Sequence, residues 1–357
     1  MRSLQFFSAA SIASLFSVSA ALNLTVFQHG VPFAPAKLPA PGAASHADEI
    51  AEAFANLGRS TIWKSIKNIT FEGETFEPEG MVRIGSDRFF VSGTEEIVAT
   101  ASFNKTINGT DRAPGVGFAH ILVFDGEGKR IARATYSKPG DNEYHLGGID
   151  YDGENVWGTI AQYRPNSTAR VVTINPHTLE DTEVLTYNDH LGGIVHDTKT
   201  NDIYCLNWGA RNASKFSLGH FGGYGYGKGH GSSGGFTKPQ KVTRNPSYFS
   251  DYQDCKFLGH PRMYDYRSTM LCSGLTTYAQ GAITKFQLGG LAIVDTETMV
   301  PLDEVPITGL SALGVVLTEN PMDVEVVDGK LRFYWLPDQH NSTMYVYEAE
   351  PMSPYEF

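Results

Sequence analysis

From residue 61 to the C-terminus, apolar positions come in short runs, many alternating with polar ones, and Gly, Asn, Asp and Pro separate the runs. Alternation is strand periodicity, and turn residues at this spacing predict many short antiparallel strands rather than helices. The runs also repeat. Five times a polar pair leads into an apolar strand, a turn and a second strong strand: residues 78–82 with 88–91, 145–149 with 155–158, 190–194 with 202–205, 252–256 with 269–272, and 321–325 with 331–334. Outer hairpins follow at residues 120–125 before 130–133 and at 169–174 before 182–185, and residues 290–295 do the same in the fourth unit.

Four strands per unit predict an all-β fold, a β-propeller. The last unit ends after its third strand, residues 344–347, and residues 61–66 upstream of the first unit can supply the missing outer strand and close the ring. That counts five four-stranded blades, or six if two units are merged between Gly80 and His145. The domain reading is residues 1–20 as a signal peptide, 21–60 as a Pro/Ala-rich lead-in and 61–357 as one propeller domain. The lead-in carries the one short helix, residues 45–57, with Ser45 as its cap, Asp48 and Glu49 in its first turn, Ile50, Phe54 and Leu57 on one face, and Gly58 as its stop.

The signal peptide reading rests on Arg2, the apolar run 4–18 and small residues at Val18-Ser19-Ala20. The run is shorter than a spanning helix needs, which argues for a secreted, extracellular protein with no membrane span. Asn-x-Ser/Thr sequons at Asn23, Asn68, Asn104, Asn108, Asn166, Asn212 and Asn341 point the same way and predict a glycoprotein with turns at those asparagines. A net charge of −11, from 28 Lys+Arg against 39 Asp+Glu, comes without any basic cluster and argues against a nucleic-acid partner. A monomer is expected. Three cysteines do not make a disulfide scaffold. Cys255 and Cys272 fall on neighbouring strands of one hairpin and can bridge, or all three can be buried small side chains. The run 219–235, rich in Gly, Tyr and His, reads as a mobile loop without the context of a phosphate cradle.

The residues that open each repeat should ring one mouth of the central funnel: Glu79, His145, His190, Gln253 with Asp254, and Asp323, with Tyr144, Asp189 and Tyr252 beside them. Histidine titrates near neutrality, so His145 and His190 with Glu79 or Asp254 can serve as general acid and base, and the same two imidazoles can hold a divalent metal. The bland alternative is that the repeated His-Leu-Gly-Gly is a turn that needs glycine conformations. At neighbouring strand ends, Arg164 and Arg211 can clamp an anionic or hydroxylated ligand, and Trp208 and Trp335 can stack on a sugar or terpenoid face, with Asp338 nearby, although tryptophans at alternating strand positions are more often core. No serine elbow, HExxH, CxxC or dinucleotide fingerprint is present, so no nucleotide cofactor is expected. The partner read from these residues is a small molecule or glycan.

The segments HLGGIDYDG, HLGGIVHD, YQDCKFLG with MLCSGL, and NPMDVEVVDGKLRFYWLPD resemble a family of secreted fungal and bacterial propeller proteins of unassigned function, from about Trp63 to the C-terminus. That resemblance implies the fold and transfers no catalytic residues. More loosely, the plan is similar to a protein encoded in fungal trichothecene gene clusters and associated with toxin biosynthesis and virulence. This second likeness implies ring-closing or isomerising chemistry on a terpenoid, a secondary metabolite. The function expected is acid-base cyclase, isomerase, lyase or hydrolase chemistry at the funnel. The alternative is a propeller that binds glycans or a host surface without turnover.

Overall fold

The computed structural model describes residues 23–219, 236–280 and 284–350. The signal-peptide reading at residues 1–20 lies outside them, as does the glycine-rich loop apart from Gly219. Five antiparallel blades surround one axis. Blade I runs outward through Glu77–Arg83, Arg88–Val98, Val116–Asp125 and Arg130–Thr135. Asn23–Val26 adds a fifth strand at its outer edge, with Asn23 opposite Thr135. Blade II has an inner strand in two pieces, Glu143–Leu146 and Asp150–Tyr151, both paired with Val156–Gln162, followed by Ala169–Ile174 and Asp181–Tyr187. Blade III is Gly193–Asp197, Asp202–Leu206, Asn212–Ser217 and Lys241–Arg244, and blade IV is Asp251–Gly259, Thr269–Gln280, Thr284–Asp295 and Pro301–Ile307. Blade V takes Met322–Val327, Lys330–Trp335 and Thr343–Glu350 from the C-terminal end and Ile62–Thr70 as its outer strand. The ring is therefore closed by the N-terminal strand that the repeat pattern left over, and the count is five.

A sheet that twists and packs on both faces needs apolar residues from two blades at each seam. The core divides accordingly. Phe90, Ile121, Ile160 and Val172 fill the seam between blades I and II, and Trp157, Ile194 and Cys205 that between II and III. Tyr204, Cys255 and Met270 lie between III and IV, Leu271, Ile293, Phe333 and Trp335 between IV and V, and Phe71, Phe89, Phe124 and Tyr334 between V and I. Cys255 and Cys272 stand directly opposite each other on adjacent strands and form a disulfide, while Cys205 is free and buried.

The lead-in helix differs from its expected form. Gly42–Ser45 and Ala47–Phe54 are separate helices because His46 leaves helical geometry at φ −119° and ψ 30°. Ser45 caps nothing: its hydroxyl donates back to the Pro41 carbonyl at 2.6 Å, ending the first helix instead of starting the second. Ile50 and Phe54 are buried against the seam of blades IV and V, so the helix covers the propeller. No helix among the described residues is long and apolar enough to cross a membrane.

The glycine pairs of the two His-Leu-Gly-Gly repeats let inner strands meet near the axis. Gly148 N donates to the Gly192 carbonyl at 2.8 Å, and a Cβ on Gly147 would lie 2.2 Å from that same oxygen. Deeper along the inner strands the axis is filled by charge. Lys256 Nζ pairs with Asp254 Oδ1 at 2.7 Å and donates to the Ile149 carbonyl at 2.7 Å. Asp254 Oδ2 accepts from Met81 N at 3.2 Å and Met322 N at 3.0 Å, and Asp323 Oδ2 accepts from Arg83 N at 2.6 Å. Asp150 accepts from His196 N and Phe257 N. These carboxylates tie inner strands of different blades together. Burial raises Asp254 to about 6 and Asp150 to about 7, against the pull of Lys256.

Candidate functional site

Three blades bring their polar openings to one mouth. Glu77 and Glu79 are two apart on the inner strand of blade I, with Glu79 in a bulge between Pro78 and Gly80, and their carboxyls are near enough to influence each other. His145 lies on the first piece of blade II's inner strand, opposite Ala161, and the strand carrying Ala161 ends at Gln162, with Tyr163 next in the chain. His190 lies three residues before the inner strand of blade III, and Trp208 opens the short 3-10 turn Trp208–Ala210 that follows that blade's second strand.

The rings pack in sequence. His145 stacks on Tyr163 with centroids 4.4 Å apart and lies 5.2 Å from His190. His190 meets Trp208 edge to face at 4.9 Å, and Tyr163 is 5.7 Å from the same indole. His145 Nε2 faces Glu79 Oε1 at 3.5 Å, while its Nδ1 is buried with no partner. His190 Nδ1 donates to the Gln162 carbonyl at 2.8 Å, which fixes its tautomer and leaves the lone pair on Nε2. Glu77 Oε1 accepts from the Tyr163 hydroxyl and from Gln339 Nε2, both at 3.0 Å.

The environments split the titrations. Burial raises the Glu77 carboxyl, Glu79 adds to it, and together they carry it to about 7. Burial alone would lower His145, but Glu79 and then Glu77 outweigh it and the imidazole is raised above its usual value. Burial and then the charge of His145 push His190 down to about 3. Burial, then Glu79 and Glu77, raise the Tyr163 phenol. A buried mouth with clustered carboxylates and imidazoles of opposite tendency can hold and move a proton near neutral pH.

The other residues singled out in the sequence lie elsewhere. Asp254 and Asp323 are the axial ties described above. Tyr144 is buried, with its hydroxyl donating to the Pro114 carbonyl at 3.1 Å. Tyr252 and Trp335 are buried in the seams of blades III with IV and IV with V. Gln253 Nε2 donates to the Asp251 carbonyl, and Arg164 Nε to Gln162 Oε1. Arg211 braces the loop of blade III through Gly209, Ser247 and Asp251. Asp189 caps His190 N and accepts from Asn207, and Asp338 accepts from the Tyr345 hydroxyl. Among the described residues no three His, Cys, Asp or Glu side chains converge as metal ligands, and His145 and His190 by themselves supply two. Glu77 and Tyr163 were not singled out from the sequence. The Glu-x-Glu spacing on a strand was the available signal for Glu77, and Tyr163 opens a connection without a distinctive pattern.

Six of the seven sequon asparagines are exposed and Asn212 is half-buried. Asn108, Asn166 and Asn341 stand in turns as expected, but Asn23, Asn68, Asn104 and Asn212 are on strands, Asn212 on one that is paired on both sides.

The sequence profile of a family of unknown function, DUF6454, matches residues 37–352. No curated protein matches the chain. Solved structures similar in fold include a mannose phosphorylase from Leishmania mexicana, at 11% identity and a TM-score of 0.43 over 85% of this chain and 93% of that one. They also include an exo-1,5-alpha-L-arabinanase from a bovine ruminal metagenomic library, at 7% identity and a TM-score of 0.39 over 78% and 94%. A third is a DUF4623 family protein from Bacteroides eggerthii, at 9% identity and a TM-score of 0.39 over 78% and 60%. At such identities the likeness is one of fold, and fold alone assigns no activity.

Proposed function

The chain belongs to DUF6454, a family of unknown function, and we propose that its propeller mouth binds a small hydroxylated molecule and transfers a proton to or from it. The observation that carries this reading is Glu77. Its carboxyl is held at about 7 by burial and by Glu79, and a general acid or base works best when its pKa lies near the working pH. Tyr163 and Gln339 both occupy Glu77 Oε1 and so fix the carboxyl's orientation.

The neighbours take complementary roles. His190, held neutral, is too weak a base to take a proton and instead offers Nε2 as an acceptor for a ligand hydroxyl. His145, held toward its charged form by Glu79, offers the unpartnered Nδ1–H to an oxygen on which negative charge develops. Trp208 and Tyr163 present ring faces to a sugar or terpenoid. Isomerisation, elimination, ring closure and hydrolysis all need such a proton transfer. The reading includes export as a glycoprotein, supported by the leader-like first residues and the exposed sequons. It also includes a secondary metabolite of fungal type as one ligand class, the class implied by the looser likeness of overall plan to the trichothecene-cluster protein.

The test is to incubate the purified protein with small-molecule fractions from the producing organism's culture and follow them by mass spectrometry, comparing wild type with E77Q. One component should be converted by wild type and about 10²-fold more slowly by E77Q, with a melting temperature no lower than that of wild type. Equal conversion by both proteins would contradict the reading. The neighbouring rings of Tyr163 and Trp208, 5.7 Å apart, favour a second reading, binding without turnover, and a component bound by both proteins but converted by neither would select it.

A further inference from the structure

Between the second and third strands of blade I the chain leaves the sheet as a two-stranded arm, Ser102–Ile107 with Thr110–Arg112. It does not belong to the core: of residues 102–112 only Thr110 is buried. The root is fixed. The Tyr144 hydroxyl donates to the Pro114 carbonyl, and Gly115 packs so closely at φ +72° that a Cβ there would lie 2.4 Å from the Tyr144 oxygen. The arm crosses the mouth instead of pointing away from it, reaching neighbouring blades through Arg112 at its base, paired with Ser102, and through Gly109 at its turn. The Arg112 guanidinium lies over the Trp208 ring on blade III, 4.9 Å from its centroid, and the Gly109 carbonyl accepts a hydrogen bond from Asn166 Nδ2 on blade II.

We infer that this arm is the cover of the mouth and that Arg112 is a ligand-contacting residue, so that access to His145 and His190 requires Arg112 to lift from Trp208 and Gly109 from Asn166. The inference rests on the reading of the mouth as the binding site. An element with little apolar burial, held to its neighbours by one hydrogen bond at its turn and one cation–π contact at its base, opens locally without disturbing the blades. In the closed position Arg112 adds planar donors that suit hydroxyl or carboxylate oxygens of a molecule lying against Trp208. The cover also accounts for a site whose imidazoles are 4% and 3% exposed at the rim of the propeller.

The structure supplies a lock. A Cβ built on Gly109 would lie 3.3 Å from the Asn166 Cβ, close to the separation of about 3.5–4.5 Å that a disulfide spans. The double variant G109C/N166C, oxidised and then mildly reduced, is treated with diethyl pyrocarbonate, and acylation of His190 is followed by peptide mass. His190 suits the probe because Nε2 carries its lone pair and the ring is neutral across the working range. The single variants G109C and N166C pass through the same steps as controls for the native disulfide and the altered sequon. Acylation should be at least about tenfold slower in the cross-linked protein than in its reduced form, as expected when access depends on local opening. Equal rates, with the cross-link verified by mass, would overturn the inference.

R112A gives an independent arm of the test, since Gly109 takes a left-handed φ of +81° that cysteine adopts at a cost. R112A should speed His190 acylation several-fold and increase acrylamide quenching of Trp208, and no change in either would overturn the role of Arg112. The probe reads access, not turnover. A mouth that converts nothing would fail the E77Q comparison and still show the lock, whereas an uncovered mouth would fail the lock and leave the E77Q comparison intact.

Discussion

His145 and His190 occupy matching places on consecutive blades, 5.2 Å apart between ring centroids, and titrate in opposite directions. Glu79 faces one imidazole and no carboxylate faces the other. Charging both would place two cations side by side in a buried site, so raising His145 helps to depress His190. A like interaction acts on the acids, where burial and then the neighbouring Glu79 raise Glu77.

Glu77 gives a pH signature. Its folded-state value of about 7 lies above the ordinary 4.5, so the folded chain binds this proton more tightly than the unfolded one. The stabilisation is complete below the unfolded value and is lost as the pH rises through 7. E77Q, a neutral mimic of the protonated acid, should therefore gain on wild type by about 1–3 kcal/mol between pH 4.5 and 7.5. Urea midpoints across that interval check it, and parallel curves for the two proteins would refute it.

The axial ion pair should matter for stability and not for proton transfer at the mouth. Lys256→Met leaves Asp254 buried without its ammonium partner, and breaking such a pair costs about 3–5 kcal/mol. Adding Asp254→Asn, which removes the stranded charge and keeps an acceptor for Met81 N and Met322 N, should recover part of the loss. Denaturant unfolding of the single and double variants measures both. A single-variant cost below about 1 kcal/mol would place the pair outside the stabilising structure.

Within the repeated glycines, position decides tolerance. A methyl group on Gly147 meets the Gly192 carbonyl at 2.2 Å, whereas one on Gly193 finds nothing closer than 4.0 Å. Gly147→Ala should cost at least about 1–3 kcal/mol, the range for forced overpacking, and Gly193→Ala well under 1 kcal/mol. Melting temperatures of the two variants give the comparison.

The fold was readable because each blade repeats one pattern, and because the fifth repeat lacked a strand that residues 61–66 could provide. The outer strand Asn23–Val26 was not readable, since its partner choice depends on an edge of blade I that the Pro/Ala-rich lead-in does not announce. The repeat register placed His145, His190 and Glu79 at one mouth. It also put Asp254 and Asp323 in the same ring, although they meet the inner strand of blade I at Met81 and Arg83, two and four residues beyond Glu79. Tyr163 and Arg112 escaped notice because both come from the connections between second and third strands, whose lengths and paths do not repeat. The Asn/Gly/Thr-rich stretch that obscured the register between Gly80 and His145, and left a sixth blade open, contains the arm.

Histidine-labelled protein examined by 15N NMR from pH 4 to 9 tests the central claim most directly, with H145N and H190N giving the assignments. At pH 6.5 one imidazole should show mainly the charged pattern, titrating above its ordinary value and falling in E79Q. The other should remain neutral with its proton on Nδ1 throughout, since its folded value is about 3. Two imidazoles titrating together near 6.5 would contradict the account, because a mouth that does not separate its protons has no prepared acid or base to offer a ligand.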